Sequence, residues 1–133
     1  FIPMQKELVK QRAFGGTMRL GGWEAIVKKG TIAFDAYEKY DGMIDVKKGL
    51  TSERHRHRYE FNNDYAQALE DKGLVIAARS VKEDLVEIIE LPKSQHPFYV
   101  GTQGHPEYKS RPLHPHPLFI AFIEACVKTS RKK

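Results

Sequence analysis

Glu53-Arg-His-Arg-His-Arg-Tyr-Glu-Phe-Asn-Asn63 is the stretch from which the rest of the chain is read. From Arg54 to Phe61 its character alternates. A β-strand there puts Arg54, Arg56, Arg58 and Glu60 on one face and His55, His57, Tyr59 and Phe61 on the other. Asn63 or Asp64 then caps a helix from Tyr65 to Lys72, which Gly73 closes at its C-terminal end. Two short apolar runs follow, Leu74 to Ala78 and Leu85 to Leu91, and Val86, Ile88 and Ile89 suit a sheet.

Working outward, Gly15, Gly16, Gly21 and Gly22 frame a turn segment in which the backbone must bend or approach something closely. Trp23 to Val27 reads as a short strand and Thr31 to Tyr40 as a short helix. On the other side, Phe98 to Gln103 forms a further strand, and a last helix starts near Pro117, where the missing N–H costs nothing. Leu118, Phe119, Phe122, Ile123, Cys126 and Val127 recur at helical spacing, an apolar stripe that directs Cys126 into the core. The expected fold class is α/β, a mixed sheet with flanking helices.

With 133 residues, 41% hydrophobic and 29% charged, the chain has the balance of one ordinary globular domain over residues 1–133, with a lead-in at 1–13 and a basic tail at 128–133. No repeat or low-complexity tract divides it. Cys126 has no second cysteine to pair with, which fits a reducing compartment and a cytoplasmic location. No apolar run approaches the roughly 20 residues of a membrane span. The net charge of +5 invites a nucleic-acid reading. Part of that excess, however, sits in Lys128, Arg131, Lys132 and Lys133, and histidines rather than stacking aromatics separate Arg54, Arg56 and Arg58. Neither nucleic acid nor membrane is expected as a partner.

The chemistry concentrates in Gly104-His105-Pro106-Glu107. Pro106 fixes its own φ and holds His105 extended, so the imidazole and the Glu107 carboxylate lie on one side. The carboxylate accepts from one ring nitrogen and leaves the other to exchange a proton, which is the base-plus-orienter half of a triad. His55 and His57 are also spaced as two imidazole metal ligands, but Glu60 on the opposite strand face counts against a third ligand, and no metal is expected.

The stretch from Glu53 to Asn63, together with Gly15-Gly-Thr-Met-Arg-Leu-Gly21, Gly104-His-Pro-Glu-Tyr-Lys-Ser-Arg-Pro112 and His116-Pro-Leu-Phe119, resembles the CTP synthase family in order and approximate spacing. The resemblance runs from about Phe14 to Phe122. It implies part of a class I glutamine amidotransferase domain, flavodoxin-like, in which a cysteine attacks the glutamine carboxamide and ammonia is released. By that resemblance His105 and Glu107 complete the triad, Arg58 with neighbouring Tyr59 holds the substrate glutamine, and Thr17 and Arg19 belong to a loop associated with the synthase domain and GTP activation. A guanidinium suits an α-carboxylate because it donates two parallel hydrogen bonds.

The family's nucleophile lies in a Gly-x-Cys-x-Gly turn that does not occur in this sequence. The chain alone is therefore expected not to hydrolyse glutamine, and a non-catalytic interaction domain is the competing reading. No cofactor is expected within the chain. The resemblance implies ATP, Mg, UTP and the effector GTP for the whole enzyme, as well as the N-terminal half of the domain, a synthase domain and homo-oligomeric assembly. Gly104 stands where the family often has an aromatic residue, which is expected to enlarge the space beside the triad.

Overall fold

In the computed structural model, residues 18–131 are described. Strands β1 (Arg19–Val27), β2 (Leu50–His57), β3 (Val75–Ser80), β4 (Val86–Glu90) and β5 (Val100–Thr102) form one sheet in the order β2-β1-β3-β4-β5. Helix α1 (Ile32–Lys39) lies between β1 and β2, α2 (Ala66–Glu70) precedes β3, and α3 (Pro117–Ser130) ends the described chain. The sheet with helices against it is as expected. Its recorded pairings are all antiparallel rather than mixed. Short reversals such as residues 81–85 can join only antiparallel neighbours, because a parallel pair needs a crossover of about a dozen residues or more.

β1 begins four residues before the expected Trp23, and β2 begins at Leu50 and ends at His57 rather than spanning Arg54 to Phe61. Each strand supplies the other's ladder. Arg19 pairs with His57 and Ile26 with Leu50, so among the described residues the β1–β2 ladder ends at His57, and residues 58–62 are not in a strand. Glu60 is consequently not fixed on the arginine face, and its carboxylate turns back to within 3.6 Å of His57 Nδ1.

α1 is short, but its N-terminus is doubly held. The Thr31 hydroxyl accepts from Phe34 N–H at 3.1 Å, and the Glu90 carboxylate accepts from Ile32 N–H at 2.8 Å and Ala33 N–H at 3.1 Å. Together they satisfy orphan donors and place a negative charge at the positive end of the helix, each such cap being worth about 1 kcal/mol. α1 buries Ala33, Phe34, Ala36 and Tyr37 against Val27, Ala77, Ala78 and Ile88, and this is the apolar core. The segment after β2 is capped by Asn62, one or two residues before the expected Asn63 or Asp64. Its first turn is a 3-10 turn, so α2 is shorter than Tyr65–Lys72. Gly73 takes the left-handed conformation (φ +93°) that a helix stop requires.

α3 corrects one expectation. Leu118 is buried, but Phe119, Phe122, Ile123 and Val127 are exposed (Ile123 58%), and Cys126 is exposed rather than directed into the core. The helix touches the body along Leu118 and Ala121 and through a Lys39–Glu124 ion pair at 2.8 Å. Of the stripe, Leu118 joins that contact line and the Phe122 ring packs edge-on against Phe98 at 5.7 Å, while Phe119, Ile123, Cys126 and Val127 stay exposed. No helix is long and apolar enough to cross a membrane among the described residues.

Candidate active site

His105 follows β5 and Gly104, and Pro106 opens a 3-10 turn, Pro106–Tyr108, that carries Glu107 back over it. His105 Nδ1 lies 2.7 Å from Glu107 Oε1, the geometry expected for the pair. Since the carboxylate only accepts, Nδ1 carries the proton and Nε2 is left as the exchanging atom. The hydrogen bond with His105 holds the Glu107 carboxyl below the usual carboxylate range. It therefore remains ionised where an imidazole titrates.

This loop is fixed to β2. His105 N–H donates to the Arg54 carbonyl at 2.7 Å, and Gly104 N–H donates to Thr102 Oγ1 at 2.9 Å. Gly104 leaves no enlarged space beside the triad, contrary to expectation. A Cβ built there would lie 2.9 Å from Glu53 Cβ, so the loop and strand approach closely enough to exclude a side chain. Glu53 is itself buried; it accepts from Tyr37 O–H at 3.0 Å and pairs with His116 Nε2 at 2.8 Å. His116 Nδ1 accepts from Leu118 N–H, so Nε2 holds the proton it gives to Glu53. One carboxylate thus joins α1, the α3 cap and the platform under His105. Burial, followed by the charge of Glu53, raises the Tyr37 hydroxyl pKa well above its usual value.

The ring of His105 runs nearly parallel to two others, Tyr108 (centroids 5.5 Å apart) and His57 (6.4 Å). Behind His57 lies a buried polar cluster. His55 Nδ1 and His57 Nε2 are 2.8 Å apart, and His57 Nδ1 is 3.1 Å from the Tyr59 carbonyl. His55 Nε2 is 3.7 Å from a Glu87 carboxylate oxygen. Arg19 pairs with Glu87 at 2.5 Å and with Glu60 at 3.4 Å, and its guanidinium lies 4.4 Å from the centre of the Trp23 ring. Burial pushes Glu60 up to about 7 against the pull of Arg19, and it raises Glu87 as well. Burial, then the charge of Arg19, pushes His55 down to about 3 and also lowers His57. Both histidines are neutral at physiological pH.

Of the residues expected at the site, His105 and Glu107 are brought together, and Arg58 and Tyr59 are exposed directly after β2, next in the chain to His57. Arg19 is buried in the cluster. Thr17 lies outside the described residues. Glu53, Glu60, Glu87 and His116 were not assigned to the site from the sequence. Glu87 carried a signal, because a glutamate inside Leu85-Val-Glu-Ile-Ile89 must be paired if that run is buried. The β3–β4 register shifts beside it, and such irregularities re-aim a side chain. As for metal binding, the facing ring nitrogens of His55 and His57 are committed to each other, and no group of three or more His, Cys, Asp or Glu could hold a metal ion among the described residues.

Residues 10–125 match the family model described as glutamine amidotransferase class-I. Among curated proteins, the chain is 56% identical over 124 residues to a CTP synthase of Trichlorobacter lovleyi, covering 93% of this chain and 21% of that protein. It is 47% identical over 123 residues to a CTP synthase of Tropheryma whipplei, covering 92% of this chain and again 21% of the relative. The chain thus spans about a fifth of the length of these relatives. Among solved structures it resembles a Trypanosoma brucei CTPS glutaminase domain with bound acivicin, with a TM-score of 0.70 and 32% identity over 84% of this chain and 40% of that one.

Proposed function

Because the chain belongs to the class I glutamine amidotransferase family, we propose that it supplies the histidine–carboxylate half of the glutamine-hydrolysing site of a CTP synthase. The observation that carries this reading is the 2.7 Å His105–Glu107 pair on a loop anchored to β2. In the proposed mechanism His105 Nε2 takes the proton of a cysteine thiol supplied by the N-terminal half of the domain, and the thiolate attacks the glutamine carboxamide. His105 then returns the proton to the departing ammonia and activates the water that opens the thioester. Glu107 keeps the ring in the Nδ1–H tautomer and stabilises its cation.

Arg58 would hold the substrate's α-carboxylate, with Tyr59 beside it. Thr17 and Arg19 belong in this reading to the segment that communicates with the synthase domain and responds to GTP, and Arg19 would act through Glu60 and Glu87. ATP, Mg and UTP bind to the synthase domain, which uses the ammonia to form CTP in a cytoplasmic homo-oligomer. Cys126 lies on α3 and is assigned no catalytic part. The exposed part of the α3 stripe, Phe119, Ile123 and Val127, fits a partner surface, either the remainder of the domain or, in the competing reading, the target of a non-catalytic interaction module.

Replacing Glu107 by Gln in the whole enzyme tests the relay. Loss of the ionised acceptor should lower kcat for glutamine hydrolysis by at least about 10²-fold with little change in KM. An unchanged kcat would remove Glu107 from the mechanism.

A further inference from the structure

Tyr59's carbonyl can only accept, so the His57 Nδ1 that lies 3.1 Å from it must carry a proton. Glu60 Oε1, 3.6 Å from the same nitrogen, is a second acceptor. A neutral His57 then has a bare Nε2, which must accept from His55 Nδ1–H across 2.8 Å. A neutral His55 in turn has a bare Nε2, which lies 3.7 Å from a Glu87 carboxylate oxygen, outside hydrogen-bond reach. The donors and acceptors run in one direction, from His55 through His57 toward the turn after β2. It ends on the carbonyl of the residue that follows Arg58.

We propose that His57 is a positioning residue for glutamine binding, held as its Nδ1–H tautomer by His55 so that its donation to Tyr59 fixes the Arg58–Tyr59 turn beside His105. The proposal rests on the glutaminase reading and adds to it a residue that touches neither substrate nor nucleophile. Among the described residues no backbone N–H donates to the Tyr59 carbonyl, and the His57 imidazole supplies its donor. The near-parallel ring of His105, 6.4 Å away, places that turn at the candidate site rather than elsewhere on the sheet edge.

The asparagine and glutamine amides separate the two ends of the imidazole. Asn at position 57 can present its N–H where Nδ1 was and keep the bond to Tyr59. Gln can present its oxygen where Nε2 was, keeping His55 and losing Tyr59. In the whole enzyme, His57→Gln should raise KM for glutamine about tenfold, the worth of one such bond, with kcat nearly unchanged. His57→Asn should stay within about threefold of the parent KM. Equal KM changes in the two variants, or a fall in kcat alone, would overturn the proposal. His57→Ala, also lacking the donor, should behave like Gln and serves in its place if that variant does not fold, with ammonia-dependent CTP formation reporting folding. His105→Ala separates the two levels. If it keeps turnover, the glutaminase reading fails; if it abolishes turnover while His57→Gln leaves KM unchanged, only the present inference fails.

Discussion

One face of the β1–β2 pair is apolar at one end and ionic at the other. Ala25 and Val27 pack beneath α1, whereas Arg19, His55 and His57, further along the same two strands, meet Glu60 and Glu87. Both ends are buried. The first contributes stability through area removed from water and does not depend on pH. The second contains two carboxylates on one guanidinium, so its stability follows the protons it holds. The fold thus has a passive end under the helix and a titrating end behind His105.

The largest effects should come from breaking either end. Phe34→Ala removes a core ring beneath α1 and should cost about 3–4 kcal/mol, with the same loss at every pH between about 5 and 8 by chemical denaturation. Arg19→Met leaves Glu60 and Glu87 without their cation and should cost about 3 kcal/mol near pH 8, less near pH 5 where Glu60, with its pKa of about 7, is protonated. Equal pH dependence in the two variants would erase the distinction between the ends.

Glu60→Gln sharpens the comparison. The folded pKa of about 7 lies above the ordinary 4.5, so between those values the folded state binds more protons than the unfolded one. Glu60 therefore contributes stability at low pH that is lost as pH rises through about 7. His55, with its folded value near 3 against 6.5, works the other way and adds stability as pH rises between those limits. The difference curve between parent and Glu60→Gln isolates the first contribution. The variant should gain on the parent by on the order of 2 kcal/mol from about pH 4.5 to about pH 8. A flat difference would show that Glu60 titrates normally.

Gly104→Ala should cost about 1–2 kcal/mol by forcing the loop off Glu53, with glutamine turnover falling alongside because His105 moves with it. Ile123→Ser, on the exposed part of the α3 stripe, should change the stability of this chain by less than about 0.5 kcal/mol. A large loss there would mean the stripe is covered.

Periodicity revealed α1, β3, β4 and the start of α3, because propensity and tertiary burial agree in those segments. It failed where pairing decided the matter: among the described residues the β1–β2 ladder runs out at the Arg19–His57 pair, and no alternation within Arg54–Phe61 contains that fact. The same slip hid the cluster. Glu60 was placed on the wrong face by continuing a strand that had ended, and Glu87 was hidden inside an apolar run. The stripe on α3 was legible as a stripe, but what covers it is not encoded in its spacing. The His105–Glu107 pair was readable because Pro106 makes it local.

The most direct measurement is glutamine hydrolysis by the whole enzyme carrying His105→Ala, run beside CTP formation from supplied ammonia. The account predicts that glutamine-dependent turnover falls by at least about 10³-fold while ammonia-dependent synthesis persists. Retained glutamine hydrolysis in a folded variant would contradict it.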